Sequence, residues 1–149
     1  MSRAGDLVAL EEHFALPSTL GDSQQYAIAG GWSDLQDRLL DLGERRLAEM
    51  DRHGVAFGIL SLNSPAVQAI ADTAVAVTTA REANDRLADA IGRHPDRFGG
   101  FAALPMQDPD AAAAELGRAV TELGLCGALV RSEEHTSELQ SLAYLVCRL

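Results

Sequence analysis

Glu11 and His13, a carboxylate and an imidazole two residues apart, are the side chains of this sequence best suited to hold a divalent metal ion. They close a short apolar run within LVALEEHFALP, Leu7 to Pro17, which reads as a first β-strand ended by a proline. Residues two apart in a strand project from one face, roughly 6.6 Å apart along the chain. Both side chains can then converge on one ion at about 2.0–2.2 Å. Glu12, between them, points the other way. Short acidic-plus-histidine clusters are also common on solvated strand ends, and the pattern alone favours that blander reading. The further polar candidates are Ser61 and Asn63, near the end of a second strand, and Tyr26 in a polar loop. His53 and His94 fall where helices end and are assigned no chemistry.

The elements that must position these groups follow from the hydrophobic period. Ser18 to Trp32 is rich in Gly, Ser, Gln and Asp and predicts a long loop, either a functional cover or a segment anchored by Tyr26 and Trp32. Leu35, Leu39, Leu42, Leu47 and Met50 share a broad helical face. Asp41 and Glu44 have the spacing of a capping box that would divide this stretch into two helices. His53-Gly54 closes it. Val55 to Leu62 predicts a strand buried on both faces, broken by Asn63-Ser64-Pro65. A helix is expected from Asp72 to Arg93, with Ala76, Val77, Ala80, Ala83, Leu87 and Ile91 inward, and a third strand from Phe98 to Leu104. Asp108-Pro109 starts a helix whose predicted buried face is Ala112, Ala113, Leu116, Val120 and Leu123, stopped by Gly124. Cys126 to Val130 is a fourth strand, with Cys126 expected as a small core residue.

Strands alternating with amphipathic helices predict parallel β/α units. No glycine-rich phosphate fingerprint follows the first strand, as a dinucleotide fold would require. The polar candidates gather instead after strand ends, where (β/α)8 barrels place their chemistry. The 149 residues are enough for one domain, and 12 basic against 22 acidic residues, a net charge of −10, argue against a nucleic-acid surface. No run approaches a membrane span, no signal peptide is expected, and Cys126 and Cys147 make no disulfide framework, so the expected compartment is the cytoplasm.

Four stretches carry a family likeness: LVALEEHFALP, RLAEMDRHGVAFGILSLNSPAVQAI, AREANDRLADAIGRHPDRFGGFAALPMQDPDAAAAEL and LGLCGALV. In this order, from about Leu7 to Val130, the chain resembles the amidohydrolase-related, metal-dependent decarboxylases of hydroxybenzoic acids, the γ-resorcylate and 2,3-dihydroxybenzoate decarboxylase type. The resemblance implies a (β/α)8 TIM barrel of the metal-dependent hydrolase type, present here as its N-terminal half with about four β/α units. It implies one divalent metal ion, zinc or manganese, with Glu11 and His13 as the first-strand ligands and no organic cofactor. Tyr26 lies where the family has an aromatic over the substrate, and Ser61 and Asn63 lie at the active-site end of the second strand. The implied reaction is non-oxidative loss of CO2 from a small aromatic carboxylic acid. The full-length parent is expected to be a homo-oligomer that engages neither nucleic acid nor membrane.

A barrel of this kind needs eight strands, so the later ligands and catalytic residues are expected beyond Val130. Residues 131–149, RSEEHTSELQSLAYLVCRL, leave the family pattern at once. Arg131 to Ser141 matches the forward translation of a common sequencing adapter. The expected division is therefore residues 1–130 as barrel and 131–149 as a non-native tail, in which His135 is no ligand. The competing reading of the tail is a true C-terminal helix through Leu139, Leu142, Leu145 and Val146. Open sheet edges and a partial ligand set make the 149-residue polypeptide, by itself, expected to be poorly folded and inactive. Two alternatives remain open at this point. One is a sister hydrolase acting on a lactone or amide with the same first-strand ligands, and the other is a small non-enzymatic α/β binding domain.

Overall fold

The computed structural model describes residues 7–131 and 144–147. Its strands are β1 (Leu7–Phe14), β2 (Val55–Leu62), β3 (Phe98–Ala102), β4 (Gly127–Arg131) and β5 (Tyr144–Cys147). They lie in the sheet in chain order, and β1 to β4 pair in parallel. Sequential parallel strands joined by helices curl into half of a barrel, which is the barrel alternative of the two predicted from the element order. β5 pairs with β4 antiparallel, so Leu145 and Val146 lie in a strand and not in the helix considered for the tail. The residues from 132 to 143, including His135, lie outside the described residues. No helix of the described residues is long and apolar enough to cross a membrane.

Among the described residues four α-helices cover one side of the sheet: α1 (Trp32–Leu40), α2 (Glu44–His53), α3 (Thr73–Arg93) and α4 (Pro109–Thr121). The divided helix expected around Asp41 is present, although Asp41 works from outside the box. Its Oδ1 accepts from the backbone N–H of Gly43 at 3.0 Å and of Arg46 at 2.9 Å, which starts α2. Gly54 ends α2 with φ 72°, a left-handed conformation that glycine adopts without steric cost. Asp72 and Asp108 cap α3 and α4 by accepting from Val75 N–H and Ala111 N–H, each at 3.0 Å.

Between sheet and helices, Phe14, Leu60, Phe98 and Ala102 pack against Ala76, Ala80, Ala83, Leu87 and Ala90 of α3. Small residues on the helix let α3 approach closely. At Gly100 the approach is complete, since a Cβ there would lie 2.5 Å from Leu87 Cδ2.

Two expectations fail. The buried line of α4 is Ala112, Glu115 and Ala119, while Ala113 is exposed. Glu115 can be inside because Asn84 Nδ2 donates to it at 2.8 Å and Arg118 holds it with two hydrogen bonds, Nη2 at 2.7 Å and Nε at 2.9 Å. Cys126 is exposed, and Leu125 takes the core position. Gly127, at φ 149°, interrupts the strand alternation that would have given Cys126 the same face as buried Ala128.

Candidate metal centre at the strand ends

β1 and β2 run in parallel with His13 beside Ser61 and Glu12 beside Leu60. Between Ala9 and Glu12 the first strand carries one residue more than its partner, a bulge that contains Glu11. Bulges re-aim side chains and occur often beside active sites. Paired residues on parallel strands share a face. Leu60 belongs to the helix-side core, so Glu12 faces the helices and His13 faces the barrel interior with Ser61. That opposition of Glu12 to His13 is the one the strand period predicted.

On the helix side, Glu12 lines a cavity of about 440 Å³ between the sheet and the first two helices, together with Arg46, Glu49 and Met50. Arg46 crosses this space and is spent on the main chain. Its guanidinium donates to the carbonyls of His13 at 2.8 Å, Asp41 at 2.9 Å and Arg38 at 3.0 Å. Burial lowers the pKa of Arg46, while the charges of Glu12 and Asp41 act against that shift. The arginine thus fixes the backbone at His13 from behind.

On the interior side, His13 Nδ1 and Ser61 Oγ lie 3.0 Å apart, within hydrogen-bond distance. Ser61 is 3% exposed, His13 is half-buried and Glu11 is exposed. Asn63 stands apart from this pair and is fully occupied. Its Nδ2 donates to Thr19 O and Ser23 Oγ, each at 2.8 Å, and its Oδ1 accepts from Thr19 Oγ1 at 2.8 Å. Its backbone N–H donates to Phe14 O at 2.7 Å. Asn63 therefore ties the segment after β1 to the end of β2. That segment forms a 3-10 turn, Leu20–Tyr26, where the sequence predicted only loop, and Tyr26 at its end is 64% exposed.

The structure thus has Glu11, His13 and Ser61 toward the C-terminal ends of two paired strands, gives Asn63 to the loop, and leaves Tyr26 exposed at the end of the 3-10 turn. Thr19, Ser23 and Arg46 also shape the site. Nothing in their local sequence marks them, because their partners are 33 to 44 residues away. A carboxylate and an imidazole suit a borderline divalent ion such as zinc or manganese. Among the described residues no group of three or more His, Cys, Asp or Glu is placed to hold one. By donor chemistry alone, Glu11 and His13 suit part of a coordination shell.

The amidohydrolase family model matches residues 17–149, a range that starts after Glu11 and His13. The γ-resorcylate decarboxylase of Rhodococcus jostii is 58% identical over 123 residues, 83% of this chain and 37% of that protein. That of Rhizobium radiobacter is 54% identical over 137 residues, 92% of this chain and 42% of its own length. A crystal structure of 2,6-dihydroxybenzoate decarboxylase complexed with 2,6-dihydroxybenzoate superposes with a TM-score of 0.82 at 55% identity, covering 86% of this chain and 40% of the other. A Polaromonas dihydroxybenzoic acid decarboxylase with bound manganese and the inhibitor 2-nitroresorcinol gives the same TM-score and identity, covering 86% and 39%. The chain spans about two fifths of the length of these relatives. By family match, identity and fold together, the chain belongs to the amidohydrolase family.

Proposed function

We propose that this chain forms the N-terminal half of the active site of a metal-dependent, non-oxidative decarboxylase of hydroxybenzoic acids. The observation that carries the reading is the 54–58% identity to γ-resorcylate decarboxylases across most of the chain. In support, Glu11 and His13 stand at the C-terminal end of a barrel strand, the end at which this fold does chemistry. The residues proposed to hold the ion are Glu11 and His13, and manganese or zinc is the proposed metal, with no organic cofactor. When bound, such an ion supplies Lewis-acid polarisation and a template for a carboxylate and an adjacent phenolic oxygen.

The chain's own residues prepare that geometry. Arg46 holds the His13 carbonyl and Ser61 approaches its ring, so the imidazole is held from two sides. The Leu20–Tyr26 turn, tied down through Asn63, is proposed to shield the substrate, with exposed Tyr26 at its rim. In the reaction, the ring carbon bearing the carboxylate takes up a proton. The bond to the carboxyl carbon then breaks, its electron pair restores the aromatic ring, and CO2 leaves. The proton donor is assigned to none of the described residues.

Residues 1–130 are proposed as the barrel part and 131–149 as a tail foreign to it. The antiparallel β5, where a barrel requires a parallel strand, supports that division, while the family match itself runs to residue 149. Sequencing the source DNA past the codon for Val130 decides the point: continuation into further β/α units with a new histidine is expected. The cysteine-poor composition supports a cytoplasmic parent protein, and a homo-oligomeric parent is proposed from the family resemblance alone. The test of function is CO2 release from 2,6-dihydroxybenzoate by the polypeptide encoded in that continuous gene, with manganese supplied. Lactone or amide hydrolysis without CO2 release would overturn the reading.

A further inference from the structure

Three carboxamide side chains tie the segments at the C-terminal ends of the strands to their neighbours. Asn63, at the end of β2, holds the turn after β1 through Thr19 O and Ser23 Oγ, each at 2.8 Å. Gln107, between β3 and α4, reaches back to the loop after β2 and donates to Val67 O at 2.6 Å and Ile70 O at 2.8 Å. Asn84 of α3 pins the end of β3, donating to Ala103 O at 3.0 Å and accepting from Ala103 N–H at 2.8 Å. Its second N–H goes to Glu115 Oε1 at 2.8 Å. Each amide spends both N–H groups, and its orientation is fixed by the chemistry of its partners. Carbonyl and carboxylate oxygens only accept, so the NH2 ends must face Thr19 O, the Val67 and Ile70 carbonyls, and Ala103 O with Glu115. The loop after β2 also holds a strained residue. Ala66 sits at φ 41°, a left-handed conformation that costs a non-glycine residue and persists where the surroundings enforce it.

We infer that the loops after β1 and β2 are fixed covers, set before any ligand arrives, and that Asn63 and Gln107 are the positioning residues that fix them. The inference rests on the proposed function only in taking these loops as the mouth of a substrate site. Segments that open as lids are drawn from parts of a fold with few buried contacts. The anchors here are the reverse: Asn63 and Thr19 are 3% exposed and Ser23 is 4% exposed. Lifting the first loop would part three side-chain hydrogen bonds at once, because Thr19 Oγ1 also donates to Asn63 Oδ1 at 2.8 Å. Lifting the second would strip Gln107 of both its acceptors. A mouth already ordered in the free protein loses no binding free energy to ordering when a ligand enters. The assignment takes Asn63 away from direct substrate contact, the role first suggested by its place at the strand end. It also gives Gln107 a part in the site that its local sequence does not mark.

The test compares hydrogen exchange with and without ligand in the polypeptide encoded by the continuous gene, loaded with manganese. The ligand is 2-nitroresorcinol, the inhibitor bound to the related Polaromonas decarboxylase. In the unsubstituted protein, segments 16–26 and 65–70 are expected to exchange at the same rate in both states. Asn63→Asp and Gln107→Glu keep the side-chain shape and lose the donors. Each is expected to speed exchange in the loop it anchors, with the C-terminal half of α4 unchanged, and binding of 2-nitroresorcinol should slow that exchange again. Affinity for the inhibitor should fall about tenfold, as it would if the ordered mouth dropped to about a tenth of the molecules. Exchange in either loop that slows when the inhibitor binds the unsubstituted protein overturns the inference, because that loop is then a lid. This measurement stands whether or not a variant folds. Unchanged exchange in both variants overturns it as well. A protein that neither binds 2-nitroresorcinol nor releases CO2 from 2,6-dihydroxybenzoate overturns the proposed function, and the ligand-free comparison of the variants then decides the inference alone.

Discussion

The α3–β3–α4 side of the molecule and the β1–β2 mouth use the same strand-and-helix unit but finish it differently. On the first side the surfaces that face each other are closed. Leu87, Phe98, Ala102 and Ala119 are essentially inaccessible. Asn84 exchanges hydrogen bonds with the backbone of Ala103, its Oδ1 accepting from N–H at 2.8 Å and its Nδ2 donating to C=O at 3.0 Å. At the mouth the polar groups of the strand ends are organised, while apolar residues earlier in β1 are open: Leu7 is 59%, Val8 54% and Leu10 70% exposed. A barrel strand needs cover on two faces, one from helices and one from the other strands of the barrel. The helix face is satisfied locally by elements close in sequence. The interior face depends on side chains from around the whole ring. The half that packs itself is thus the scaffold, and the half left open is the one that carries the candidate chemistry.

The comparison can be broken first at the scaffold. Leu87→Ala removes a side chain that is 1% exposed and fills the space beside Gly100. It is expected to cost about 2–5 kcal/mol in urea unfolding of the polypeptide encoded by the continuous gene, because the rigid surroundings leave a cavity. The loss should appear in hydrogen exchange as faster exchange of β3 and α3 amides, which in the unsubstituted chain are expected to be better protected than those of β1. Equal protection on both sides would remove the distinction drawn here.

A smaller effect is expected at the mouth. Arg46→Met keeps much of the apolar stem but deletes the donors to the carbonyls of His13, Asp41 and Arg38. The expected cost is about 1.5–3 kcal/mol, the scale of a charge-assisted hydrogen bond. Exchange should increase at β1 and the start of α2 while α4 stays as it was. A change spread evenly over the molecule would show that the mouth and the scaffold are one cooperative unit.

The smallest effect belongs to the exposed cluster of Asp34 with Arg38 and Arg45. Hydrogen bonds from Arg38 and then Arg45 hold the Asp34 carboxyl below the usual carboxylate range. A depressed carboxylate contributes stability above its unfolded pKa and loses it as pH falls through the lower folded value. Solvent screens the pair, so Asp34→Asn is expected to leave the urea midpoint at neutral pH nearly unchanged. The difference from the unsubstituted chain should vanish toward the acid end of a pH series. A large shift at neutral pH would mean that the α1–α2 surface contributes to the mouth's rigidity.

What was legible in the sequence and what was not divide along the same line. The β/α order, the split after Leu40, the cap at Asp108 and the stop at Gly54 all depend on contacts within a few residues. The register that faces Glu12 and His13 opposite ways also follows from the strand period alone. The buried Glu115 and the exposed Cys126 were hidden, because each depends on a partner or a backbone angle that periodicity does not encode. The roles of Ser61 and Asn63 were hidden for a related reason. Both were visible as polar residues near a strand end, but only tertiary pairing directs Ser61 to His13, 48 residues away, and Asn63 to Thr19, 44 away.

By itself, then, the sequence determined the kind of unit this chain builds and the opposition of Glu12 to His13 along β1, since local propensity and alternation act over short distances. The tertiary structure decided how that pair is supported. Sheet register sets Ser61 against the imidazole, and the α1–α2 turn brings Arg46 behind it. Each of these joins segments far apart in the chain, where only the folded geometry selects the partner.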